Sequence, residues 1–216
     1  MSRSFIVCAI LFSSFFAGIC FAYPKPAIAP RAHHWNLDVE YSKPYQVKLN
    51  IPGDPADAPP RRFWYIVLTL TNNTGRDVPF YSSCDLMTDT FRIIPSGKNV
   101  MNIVFEKIKL IQQGRYPFLE RLEDIPDKIL QGEDNSVDVA VIWPDFDPEA
   151  RMVDLFIAGL SNEVAAVTHP FKKDKNGNPV KLFLSKTLQL KYSIAGDPKF
   201  RDEDKMKYIT RKWVMR

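Results

Sequence analysis

The sequence predicts a mainly β protein, an antiparallel sandwich with one helical insertion near 100–113. Three observations carry this. Among 216 residues glycine is scarce at 9 and proline abundant at 17, which disfavours long helices and favours strands joined by stiff turns. Several short runs alternate apolar and polar side chains with period two, the pattern of half-buried strands. Pro-rich and Asn-Gly segments punctuate those runs. A composition of 45% hydrophobic and 25% charged residues is ordinary for a globular chain and excludes collagen, coiled coil and long disorder.

The strands follow in order. Trp35, Leu37, Val39 and Tyr41 alternate with Asn36, Asp38, Glu40 and Ser42. Past Pro44, Tyr45, Val47 and Leu49 alternate with Gln46, Lys48 and Asn50, so the pattern is one strand or two broken near that proline. Residues 52–60 form a Pro-rich loop. The run 63–71 puts Trp64, Ile66, Leu68 and Leu70 on a core face and closes on an Asn72-Asn73-Thr74-Gly75 turn. Residues 89–95 read as a short strand. At 100–113 the period changes: Val100, Ile103, Val104, Lys107, Ile108 and Ile111 fall at helical spacing, with Asn99 as cap and Gly114 as stop. Residues 115–135 are mixed, with a helical turn expected near 118–122. Strands resume at 137–144, where Val137, Val139, Val141 and Trp143 point inward, and at 152–158. A hairpin at 170–180 carries the two-residue Asn176-Gly177 turn signal. Leu188, Leu190, Tyr192 and Ile194 then alternate with Thr187, Gln189, Lys191 and Ser193. Trp213 in the charged tail predicts that the chain end docks. Strands of this kind argue for two sheets packed face to face, an immunoglobulin-like β-sandwich, with a closed barrel around a ligand cavity as the second reading.

The N-terminus sets the expected compartment. Arg3 precedes an uncharged stretch rich in Phe, Ile and Leu that ends at Cys20-Phe21-Ala22. Residues 1–22 read as a secretory signal peptide cut after Ala22, with an uncleaved anchor as the alternative. Residues 23–34 form a Pro-rich leader, and 35–216 a single domain with a basic C-terminal segment. Cleavage leaves Cys84 as the one thiol, expected to be buried, so no internal disulfide forms in an oxidising compartment. A formal charge of +4 is too small to argue for nucleic acid.

No motif names a reaction, and no catalytic residue or cofactor is assigned. His33, His34 and His169 are the weak metal candidates, because imidazole suits zinc and copper, although their spacing matches no ligand motif. Asp145, Asp147 and Glu149 alternate in a strand-end loop, which reads as a solvated turn before it reads as a calcium loop. Lys172, Lys173 and Lys175 and the tail lysines and arginines read as a solvated face, given the interleaved Asp202, Glu203 and Asp204, before they read as a surface for lipid headgroups or a wall polymer. Asn72-Asn73-Thr74 is a glycosylation sequon. Residues 45–55 and 188–198 share a Gly-Asp-Pro ending, read as common turn chemistry.

Three stretches carry a resemblance. WYIVLTLTNNTGRDVPFY (64–81) resembles the strand-and-turn signature of secreted immunoglobulin-like bacterial domains. ILQGEDNSVDVAVIWP (129–144) resembles their turn before a core strand, with Gln131 where the usual pattern has Pro. The KWVMR ending resembles that of a group of uncharacterised secreted bacterial proteins. The resemblance implies fold and export and carries over no site residue.

The functional expectation is an exported, non-catalytic domain, secreted or periplasmic, that binds or scaffolds in the cell envelope. Its contact surfaces would be sheet edges or the loops 52–60 and 170–180, and its partner another envelope protein or a surface polymer. Membrane contact would come only through a retained N-terminal segment. A periplasmic metal-binding protein and a proteinase-inhibitor-like sandwich are the alternatives.

Overall fold

The computed structural model describes residues 24–27, 32–197, 201–202 and 205–216. The signal peptide expected at 1–22 and part of the leader lie outside them. In the first sheet, β1 (Asp38–Tyr41) and β2 (Tyr45–Leu49) pair antiparallel with β3 (Arg61–Asn72), which pairs with β9 (Gly132–Pro144). The two-residue β7 (Glu120–Arg121) joins β9 in parallel, a departure from the all-antiparallel expectation. β4 (Val78–Pro79) and β8 (Lys128–Ile129) make a small separate ladder. In the second sheet, β10 (Met152–Ala158) lies between β5 (Ser83–Thr88) and β12 (Pro179–Ile194). β6 (Ile93–Pro95) extends β5, β11 (Val164–Lys173) pairs with the first half of β12, and β13 (Met206–Met215) with its second half. The two sheets face each other. Trp64, Ile66, Leu68 and Leu70 of β3 share one buried cluster with Leu155, Ile157, Leu188 and Leu190 of the other sheet. Only about 10 Å³ of space remains beside Trp64 and Leu155, less than one water needs.

A one-residue bulge gives the first sheet two buried faces. Tyr41 sits opposite Leu68 and Tyr45 opposite Tyr65, so Ser42, Lys43 and Pro44 face only two residues of β3. Because side chains alternate, one extra residue transfers the strand's apolar set to the opposite face. Trp35, Leu37 and Val39 therefore enter the inter-sheet core, while Val47 joins Phe63, Tyr65 and Val67 on the outer face. Ser42, expected outward, is buried at the bulge; its hydroxyl accepts the Val67 amide at 2.9 Å.

The outer face is covered by α1 (Asn102–Gln112), which makes the protein three-layered on that side. Val104, Phe105 and Ile108 pack onto Phe63, Tyr65, Val67, Ala140 and Ile142. The Gln112 amide donates to the Tyr65 hydroxyl at 2.8 Å. The helix stands where expected, but its buried face is rotated: Ile103 and Ile111 are exposed. Asn99 does not cap it. Met101 occupies the N-cap with no side-chain bond, and Asn99 has φ 61°, bent into the turn that precedes the helix. The backbone leaves the helix after Gln112, two residues before Gly114, which shows no left-handed stop. The strand expected over 89–95 is confined to Ile93–Pro95, because 89–91 make the turn from β5. The helical turn lies at Leu122–Asp124.

The tail docks. β13 runs along β12, with Trp213 packed at the core margin. Thr187 and Gln189, expected on a wet face, are buried; Gln189 donates to the Asp154 carboxylate at 2.7 Å. Arg201 is 2% exposed, and its guanidinium donates to the carbonyls of Asp147, Pro148 and Ala150 at 3.3, 2.7 and 2.9 Å.

Candidate docking arm and the clamp at its base

β10 and β11 run along the same edge of β12, separated by a kink at 159–163. Gly159 makes the kink possible: its φ is 87°, and an added Cβ would lie 2.7 Å from the Ser82 Cα and the Tyr81 carbonyl. The segment before β1 zips onto this kink. Leu37 N donates to Leu160 O at 2.8 Å, Asn36 bridges Ser161, and the Asn162 side chain accepts from Trp35 N at 2.8 Å and donates to His33 O at 3.0 Å.

The zipper ends on a buried ion pair. Lys186 Nζ lies 3.0 Å from Glu163 Oε2, with 2% and 10% of the two side chains exposed. The Ala27 amide donates to Glu163 Oε1 at 2.8 Å, and the Lys186 ammonium donates to the Ala27 carbonyl at 3.1 Å. The pair thus satisfies both backbone groups of Ala27, and the Trp213 ring lies 5.3 Å from the ammonium. Burial alone pushes the Glu163 carboxyl up. The Ala27 amide and the Lys186 charge outweigh it and hold the group below its ordinary value. The Pro-rich leader is therefore tied down at Ala27, because it supplies backbone partners to two largely buried charges.

Beyond the clamp, β11 and the first half of β12 leave the sandwich as a two-stranded arm. Val164 pairs with Ser185 and Thr168 with Lys181. The sheet's even-numbered inner face continues outward through Leu184 and Leu182 with no opposing sheet among the described residues. Phe171 is 89% and Phe183 71% exposed. Arg216 exchanges both backbone bonds with Ser185. By alternation, Phe183 and Lys181 turn their backbone groups to the same edge as Ser185. The tip is a five-residue loop rather than the expected two-residue turn. Asp174 Oδ1 accepts the amides of Asn176 and Asn178 at 2.8 and 2.9 Å, which shapes the longer loop around Gly177. Those amides hold the Asp174 carboxyl below the ordinary range.

The other sequence candidates fall elsewhere. His33 and His34 sit in the zipper. His169 lies in β11, six residues past Glu163, about 20 Å along a strand, and its Nδ1 accepts the amides of Phe171 and Lys172 at 3.1 and 2.9 Å. No group of three His, Cys, Asp or Glu able to hold a metal ion occurs among the described residues. Asp145 accepts the Trp64 indole at 2.9 Å, and Asp147 accepts the Glu149 amide at 2.9 Å; Arg62 and Arg92 stand 3.7 and 3.8 Å from these carboxylates. Two of the loop's three carboxylates are thus held by partners within the fold. Cys84 is buried in the core, and burial, then the Asp85 and Glu123 charges, push its thiol well up, so it stays protonated. The sequon is closed: Asn72 is fully buried and donates to Arg76 O and Ile129 O at 2.9 Å each. Gly53 and Gly196 of the repeated Gly-Asp-Pro endings both have positive φ, as shared turn chemistry requires.

Sequence reasoning missed Glu163, Lys186, Ala27 and Arg201. One signal was available: Lys186 is in phase with Leu188, Leu190, Tyr192 and Ile194, a lysine on the greasy face of a strand. Among the described residues no helix is long and apolar enough to cross a membrane. A comparison of the chain with family models, curated proteins and solved structures finds no match.

Proposed function

We propose that the protein is an exported, non-catalytic domain of immunoglobulin-like sandwich type that binds or scaffolds in the secreted or periplasmic space, and that it docks through the arm at 164–185. The observation that supports this reading is the arm's composition. A two-stranded ribbon standing off a sandwich is marginal by itself in water. This one displays Phe171 and Phe183 to solvent and leaves backbone edges unpaired among the described residues. Such features serve contact with something else. The sandwich supplies a rigid base, fixed to the arm by the Glu163–Lys186 clamp.

Site-specific photocrosslinking in the native host tests the reading. A photoreactive side chain at Phe183 or Phe171 gives discrete adducts, and one at Asp57, in the 52–60 loop, does not. Recovery of unattached protein from all three positions contradicts it.

A further inference from the structure

We infer that the arm's partner is the surface of an anionic lipid bilayer, an assignment that rests on the docking role proposed above. The first ground is charge. Residues 164–185 hold four lysines, Lys172, Lys173, Lys175 and Lys181, against the single acid Asp174. The arm thus holds a net three of the chain's formal four positive charges. Asp174 is engaged by its own loop amides, so the lysines set the outward field. A second copy of so basic an arm would repel the first, which disfavours arm-to-arm pairing.

The second ground is the placing of apolar groups among those charges. Phe171 adjoins Lys172, Phe183 lies two residues from Lys181, and both rings are largely in solvent. Exposed aromatics flanked by lysines suit a bilayer interface, where the ring enters the acyl boundary and the ammonium stays among phosphates.

The third ground is where the N-terminal chain leads. Ala27 is fixed at the arm's base. The apolar run ends at Ala22, five residues earlier, and five extended residues reach at most about 18 Å. A free leader of a dozen residues would decouple the domain from the membrane. The clamp shortens that reach to the five residues before Ala27 and puts the arm's base at its end. The arm needs no retained anchor to bind, but an anchored or newly exported chain would present it to the bilayer first.

Vesicle binding of the full chain tests the inference, using phosphatidylcholine vesicles with and without phosphatidylglycerol. The reading is the part of the excess binding to anionic vesicles that substitution of the arm lysines removes, because Arg3 of the N-terminal segment contributes equally to wild type and variants. The expected result is a clear excess that falls about tenfold or more in Lys172→Gln/Lys173→Gln/Lys175→Gln and with added salt. A second variant locates the contact: Phe183→Trp acquires tryptophan emission quenched by brominated lipid in anionic vesicles, above the quenching of the wild-type chain. An unchanged far-ultraviolet circular dichroism spectrum and urea midpoint show that these surface variants keep the fold. No anionic excess, or an excess the lysine variants do not reduce, overturns the inference. Photocrosslinks from Phe183 to a protein, without vesicle binding, also overturn the lipid assignment and leave the docking role standing. Loss of both crosslinks and vesicle binding removes the two together.

Discussion

The Lys186 ammonium lies 3.0 Å from Glu163 Oε2, and the two side chains together hold the amide and carbonyl of Ala27. Removing one member of a buried pair strands the other charge, which typically costs about 3–5 kcal/mol. Lys186→Met and Glu163→Gln singly are therefore expected to lower the urea midpoint strongly. The double variant is expected to be less damaged than the two single losses combined, because no lone charge remains. Urea denaturation of the four proteins checks this; strict additivity contradicts the clamp.

Glu163 also gives a pH dependence. Its folded-state pKa is depressed, so its contribution is full above the ordinary carboxylate value and is lost as pH falls through the lower folded value. Thermal unfolding followed from neutral pH into the acid range is expected to show a steeper loss for wild type than for Glu163→Gln. Asp174 and Asp124 are depressed in the same direction, by loop amides and by Arg121 respectively, and contribute a background common to both proteins.

Arg201 fastens the C-terminal strand to the 147–150 loop. Methionine in its place leaves three carbonyls without their donor, at about 1–3 kcal/mol for each that water cannot reach. Lysine does not restore them, since one ammonium cannot reproduce a planar fork. Chemical denaturation of Arg201→Met and Arg201→Lys is expected to place both well below wild type. A wild-type midpoint for the lysine variant would show that charge alone is needed.

Gly159→Ala tests the kink beneath the arm. The left-handed backbone alone costs an L-residue about 1–2 kcal/mol, and the Ser82 and Tyr81 backbone atoms stand in the way of the methyl group. A loss in calorimetric stability larger than the backbone cost is expected. A neutral result would mean that the kink relaxes freely.

The helix offers a paired test of burial. Ile108→Ala is expected to cost about 2–5 kcal/mol, as a buried large-to-small change does, and Ile111→Ala, on the exposed face, only a few tenths. Equal losses would place the helix on a different face.

How far the sequence could be read follows from these residues. Period-two alternation located β3, β9 and β12 because each carries one unbroken apolar face, although parts of their other faces are buried too, and the change of period at 100 marked the helix. Which face the helix buries was not legible, since Ile103 and Ile111 are as apolar as Ile108 and only the sheet beneath decides. The bulge at Ser42 was visible as a break at Pro44, but its consequence, two buried faces on one sheet, depends on counting residues against β3. The asparagine at 99 looked like a cap because cap and left-handed turn residues share a chemistry. The clamp was least legible. Glu163, Lys186 and Ala27 meet across separations of 136 and 159 residues for the backbone bonds, and a leader with three prolines reads as free chain until its partners are in place.

The most direct test of the central claim, that the arm at 164–185 is the docking surface and the sandwich its support, is amide hydrogen exchange of the full chain with and without an envelope fraction of the native host. Slow exchange is expected in β3, β9 and residues 186–194 of β12 under both conditions, and rapid exchange in the arm of the isolated protein that slows when the envelope is added. Slowing confined to the sandwich edges or the 52–60 loop, with the arm unchanged, would contradict the account.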